Sequence, residues 1–181
     1  MKRKHAEGGL ELMSVAEAYA DPVVRRSVED DPFRSGPSTV FEAAKLAQDA
    51  GLDVEAEVTW WDPDEASVSW SVTVPAGVED RILALAWTDS EGKLDYTATR
   101  STRPGVAWQL TSWAADGGPW GHVDLSSLQD AFDTGIQASG VPIDRLAQVI
   151  LTDGSILVRE GLAPIAVNPR AKRLARRLAN P

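Results

Sequence analysis

The chain contains no cysteine, which removes disulfides, thiolate zinc sites and thiol nucleophiles together. Histidine is scarce: of two residues, His5 lies in a tail and His122 is left as the one imidazole with a candidate chemical role. No run approaches the roughly 20 apolar residues a transmembrane helix requires. Lys2, Arg3 and Lys4 are followed by Ala6, Glu7, Gly8 and Gly9, without the apolar stretch of a signal peptide, so the cytoplasm is the expected compartment. Walker, G-x-G-x-x-G, G-x-S-x-G and H-E-x-x-H signatures are missing as well. No cofactor is expected, and no spacing specifies a metal.

What is present is charge, unevenly placed. Of 181 residues, 27 are Asp or Glu and 18 are Lys or Arg, for a net charge of −9. Three cations fall at residues 2–4, and five (Arg170, Lys172, Arg173, Arg176, Arg177) crowd into 168–181, where there is no acid. Ten cations and all 27 acids lie between, a balance of −17 for the body. Such a body repels nucleic acid and anionic membrane and attracts basic partners.

The alternation of residues 53–113 defines the fold class. Val54, Ala56, Val58 and Trp60 alternate with Asp53, Glu55, Glu57 and Thr59; Val68, Trp70, Val72 and Val74 alternate with Ser67, Ser69, Ser71 and Thr73. A period of two puts each apolar set on one face of a strand. Ile82 to Trp87 is apolar throughout, as a strand covered on both faces would be. Leu94, Tyr96 and Ala98, then Val106, Trp108 and Leu110, mark a fourth and a fifth strand. The connections are too short for parallel crossovers, so an antiparallel meander of about five strands is expected. All seven tryptophans fall between residues 60 and 120. Trp60, Trp70 and Trp108 share the phase of their strands' aliphatic residues, which assigns them to a core rather than to a stacking platform.

Helical signals flank the meander. Ser14 with Glu17 has capping-box spacing and Asp21-Pro22 is a helix start, so residues 10–29 read as two short helices. Val40, Ala43, Ala44, Ala47 and Ala50 predict a helix over 39–50, with Gly51 at its left-handed stop. Asp116 to Gly121 reads as a loop, Asp124 as the cap of a helix over 124–139, and Pro142 as the opening of a shorter one. Val149 to Leu151 and Ile156 to Val158, about Asp153-Gly154, predict a C-terminal hairpin with a two-residue turn. Asn168-Pro169 opens a last helix with Ala171, Leu174, Ala175 and Leu178 on one side and the five cations over the rest. The expectation is an α+β protein: a basic tail over 1–9, one domain over 10–167 with helices packed on one face of the sheet, and a basic amphipathic helix over 168–181. In element order alone it resembles the small acidic secretion-chaperone architecture, with five leading strands where that family has three.

Two functions follow as expectations. The first is a non-enzymatic interaction protein, an acidic adaptor, chaperone-like or inhibitor/immunity-like, whose partner is a basic protein or a second copy of the chain, met through Trp113, Trp120 or the cations Arg170, Lys172, Arg173, Arg176 and Arg177. The second is a small enzyme or ligand-binding domain with a pocket near Trp113, Trp120 and His122, where Asp116 or Asp124 would orient the imidazole as a general base. Residues such as Asp124, Ser126 and Ser127 equally suit the first turn of a helix, where they cap.

Overall fold

The computed structural model describes residues 9–29, 37–114, 116–137 and 143–165. The tail before residue 9 and the basic segment after residue 167, with Arg170, Lys172, Arg173, Arg176 and Arg177, lie outside the described residues. The fold is α+β with two antiparallel sheets. Strands β1 (Leu10–Ser14), β2 (Asp53–Asp62) and β3 (Glu65–Thr73) form one sheet in that order. The other holds β4 (Ile82–Thr88), β5 (Leu94–Arg100), β6 (Trp108–Trp113), β7 (Pro119–Leu125), β8 (Leu146–Leu151) and β9 (Ile156–Val158), ordered β7-β6-β5-β4-β8-β9. The described helices are α1 (Val15–Ala20), α2 (Pro22–Glu29), α3 (Pro37–Asp49) and α4 (Leu128–Gln137), with two 3₁₀ turns, Glu79–Arg81 and Ile143–Arg145.

The alternating runs become strands as expected, but the five do not form one meander. β2 and β3 belong to the smaller sheet and β4 to β6 to the larger. The break follows β3. Gln129 of α4 accepts from Val74 N at 2.9 Å and donates to Val72 O at 3.1 Å, so a side chain takes the place of the next strand. A 3₁₀ turn, Glu79–Arg81, then leads into β4. Residues 10–14, expected to begin a helix, instead form β1 against β2, with Leu12 opposite Glu57. Ser14 and Glu17 do make the capping box that opens α1, and Asp21 Oδ1 accepts from Val23 N and Val24 N at 2.9 and 3.1 Å to open α2.

Helix α3 explains why the two sheets hold together. Val40, Phe41, Ala43, Ala44, Leu46 and Ala47 are all buried, and the helix packs on β2 of one sheet and β8 of the other. Its three alanines let the backbones approach closely, while Phe41 meets Trp70 of β3 edge-on at 5.6 Å. Its C-terminus is a Schellman stop: Gly51 N donates to Gln48 O and Leu52 N to Ala47 O. Gly51 has φ +93°, and an added Cβ would sit 3.4 Å from a Val78 methyl. Gly51→Ala is therefore expected to cost about 1–2 kcal/mol from the left-handed backbone, measurable by urea unfolding; an unchanged midpoint would show that the stop is dispensable.

The C-terminal hairpin is present, with a three-residue loop in place of the expected two. Leu151 N donates to Ser155 O, Gly154 N to Leu151 O, and Gly154 has φ +89°, the type I turn with a left-handed third residue. Helix α4 begins at Leu128, later than residue 124. Its cap is Ser127, whose Oγ accepts from Asp130 N at 3.1 Å. Asp130 in turn accepts from Ser126 Oγ, and hydrogen bonds from both serines hold its carboxyl below the usual range.

Candidate functional site

The edge strand β7 carries the residues singled out from the sequence. In register, Tyr96, Ser112 and Gly121 form one cross-strand row, and Ala98, Leu110 and Val123 the next. Both rows lie on the face that α4 packs against, because Trp108 and Leu125 in the following row are buried there with Leu128 and Phe132. The cover thins toward β7: in the second row Ala98 and Leu110 are buried, but Val123 is exposed. What is left is an open groove of about 270 Å³ lined by Tyr96, Leu110, Ser112, Trp120, Gly121, His122 and Val123. Small side chains at Ser112 and Gly121 form its floor.

Trp120 stands out of this groove. The register shifts between Ser112 and Trp113, with Ser112 opposite Gly121 and Trp113 opposite Pro119, so Trp120 is the extra residue of a bulge. Its indole is 79 % exposed, and Val123 beside it is also exposed. Pro119 and the bulge together twist the outer edge, one of the ways an edge strand is kept from indiscriminate pairing.

The structure separates the three residues expected to share a pocket. Trp120 and His122 both border the groove, but His122 falls between Gly121 and Val123 and opposite Thr111, so alternation turns its side chain to the other face of the sheet; Trp113 lies on that other face, where its Nε1 donates to Thr97 Oγ1 at 3.0 Å. Neither carboxylate is positioned to orient His122. Asp124 pairs with Arg103 and accepts from Gln109 Nε2, and Asp116 Oδ1 accepts from Gly118 N at 3.1 Å within its turn. His122 is itself exposed, opposite Thr111. Among the described residues no cluster of three or more His, Cys, Asp and Glu side chains could hold a metal, and no helix is long and apolar enough to cross a membrane.

The strand itself escapes a reading of the sequence. Asp116 to Gly121 has the composition of a loop, and Asp124 that of a helix cap, yet Pro119–Leu125 is extended. A signal exists in the six residues 120–125, where Gly121, Val123 and Leu125 alternate with Trp120, His122 and Asp124. No family model matches the chain, and neither a curated protein nor a solved structure matches it.

Proposed function

We propose that the protein is a non-enzymatic interaction protein, an acidic adaptor, chaperone-like or inhibitor/immunity-like, that holds a segment of a protein partner in the β7 groove. The observation that carries this reading is Trp120, exposed by 79 % on an edge strand and next to an apolar groove. Exposed indoles of this kind are characteristic anchors at protein interfaces. An extended peptide beside β7 would pair with the free backbone of the edge while its side chains entered the groove. The acidic composition, −9 overall, supports a basic partner and an association that is steered by charge.

The alternative, a ligand-binding domain or small enzyme at Trp113, Trp120 and His122, has less support. About 270 Å³ of open groove falls below the enclosed 300–1,000 Å³ typical of small-molecule sites, and both neighbouring aspartates are engaged elsewhere. The cytoplasm is the compartment that accompanies the interaction reading.

Trp120→Ala tests it. The variant is expected to weaken partner binding by about 2 kcal/mol, roughly thirtyfold, with little change in melting temperature because the side chain is exposed. Affinity for the captured partner should also fall as salt rises from low to high ionic strength. Binding unchanged by the substitution would remove the groove from the reading, and binding indifferent to salt would remove its electrostatic part.

A further inference from the structure

The six-stranded sheet has a second face, the reverse of the one that carries the main core. On the core side, Leu85 and Trp87 of β4 and Leu146 and Val149 of β8 join residues of α3 and α4 in one cluster. Alternation turns Ala84 and Ala86 of β4 the other way. Register sets Ala84 between Thr99 of β5 and Ile150 of β8, and Ala86 between Thr97 and Gln148. Two alanines between longer neighbours leave a trough along the central strand, and none of these six residues carries a charge.

This trough is not open to water. Ala84 is 0 % exposed, Ala86 and Gln148 1 % and Thr97 2 %. The indole of Trp113 accounts for Thr97, whose Oγ1 accepts from Trp113 Nε1 at 3.0 Å. Over the alanines the described residues supply one apolar side chain from outside the sheet, Ile165, which packs with Leu94 and Ile150 against Ala86. Ala84 lies about 7 Å further along the strand. Helices α1 and α2 pack on each other, on α3 and on the three-stranded sheet, and α3 and α4 lie on the core side. An alanine flanked by Thr99 and Ile150 but uncovered above would show its methyl to water, and Ala84 shows none.

The chain itself leads onto this face. Gln148 Oε1 accepts from Ile165 N at 2.8 Å, and Gln148 Nε2 donates to Ile165 O at 3.1 Å, so the last described residue is held over the trough. Residues 166–181 continue from that point. Their Ala171, Leu174, Ala175 and Leu178 recur at three- and four-residue spacing, one side of a predicted helix. Leucines and alanines suit an uncharged trough floored by alanine. The five cations do not, because an unpaired charge is costly to bury. A tethered segment also meets its own face at an effective concentration on the order of millimolar, which favours it over a second copy.

We infer that residues 168–181 pack on the reverse face of their own six-stranded sheet, with Leu174 and Leu178 over Ala84 and Ala86 and the five cations turned to water. The cations then form a basic patch at a fixed place on an acidic molecule. The β7 groove lies on the core side of the sheet, so this contact does not depend on occupancy of the groove.

Thiol labelling tests the inference in the full-length chain, which has no cysteine of its own. Ala84→Cys introduces a single probe, and Ala86→Cys supplies a second should the first disturb the circular dichroism spectrum. Alkylation by iodoacetamide, a neutral reagent, is compared in three backgrounds. These are the parent chain, Leu174→Asp with Leu178→Asp, and replacement of Arg170, Lys172, Arg173, Arg176 and Arg177 by glutamine. The probe is expected to react slowly in the parent and in the glutamine variant, and roughly tenfold or more faster once the leucines are replaced. Ala44→Cys, at a buried position of α3, should stay slow in all three, which separates undocking from general opening. The parent rate should not change with protein concentration. Fast labelling in the parent, slow labelling in the aspartate variant, or protection that needs the cations rather than the leucines overturns the inference. So does an equal rise at Ala44→Cys, or protection lost on dilution, which would make a second copy the occupant.

Discussion

Trp87→Ala is expected to lower the unfolding free energy by about 3–5 kcal/mol, in the range of aromatic deletions from packed cores. Trp87 is 1 % exposed on β4, and its indole meets the Phe132 ring of α4 nearly at right angles at 5.7 Å. Removing it leaves a cavity between the central strand and the helix that covers it. The expected effect of Trp87→Phe is much smaller, for a specific reason. Trp87 Nε1 is buried with no hydrogen-bond partner among the described residues, and a buried donor without an acceptor costs about 1–3 kcal/mol. Phenylalanine removes that donor, which offsets part of the lost volume. Trp108 provides the contrast: its Nε1 donates to Glu79 Oε1 at 2.7 Å, so Trp108→Phe leaves a half-buried carboxylate short of a donor and should cost more than Trp87→Phe. Urea unfolding of the three variants decides the order. A loss below about 1 kcal/mol for Trp87→Ala would contradict the packing of α4 on β4.

Glu79→Ala is expected to cost about 3 kcal/mol, from two donors left without their shared acceptor. Glu79 Oε1 accepts from Trp108 Nε1 and from Leu128 N, the latter at 3.2 Å. Leu128 is the first residue of α4, where a carboxylate also complements the helix dipole. The Glu79 carbonyl accepts from Arg100 Nη2 at 2.6 Å, and the Arg100 guanidinium lies 5.8 Å from the Trp108 ring. One short 3₁₀ turn thus joins β5, β6 and α4. Glu79→Gln keeps an acceptor oxygen and loses the charge, so it should fall between the wild type and the alanine variant. Equal stability of Glu79→Ala and the wild type would mean that water replaces the carboxylate at both donors.

The residues legible from sequence are those whose structure is set within a few positions of them. β2 and β3 are readable from strict alternation over eight residues or more, and β4 from an apolar run that is in fact buried at every position. Ser14, Asp21 and Gly51 announce the ends of α1, α2 and α3 because capping is a local hydrogen-bonding event. The same locality hides the rest. Nothing near Thr73 reveals that Gln129, 55 residues from Val74, will satisfy the end of β3, so one meander is expected where two sheets form. Nor does the sequence around Leu128 reveal that Glu79 reaches its backbone from 49 residues away. β1 and β7 are short edge strands, and their five and seven residues carry turn-forming or helix-capping types that outweigh the alternation. For the candidate site, Trp120 and His122 border a groove. Trp113 lies outside its lining, since the face a strand residue occupies depends on a register that only the assembled sheet determines.

The proposed role as a binding protein depends on β7 being the contact edge, and amide hydrogen exchange on the full-length chain tests this most directly. The comparison is between the free protein and its complex with the protein it captures, for the wild type and for Trp120→Ala. The expected result is slowed exchange across 119–125 in the wild-type complex, with that protection lost in the variant. Protection that falls on other strands while 119–125 exchanges as in the free protein would contradict the account.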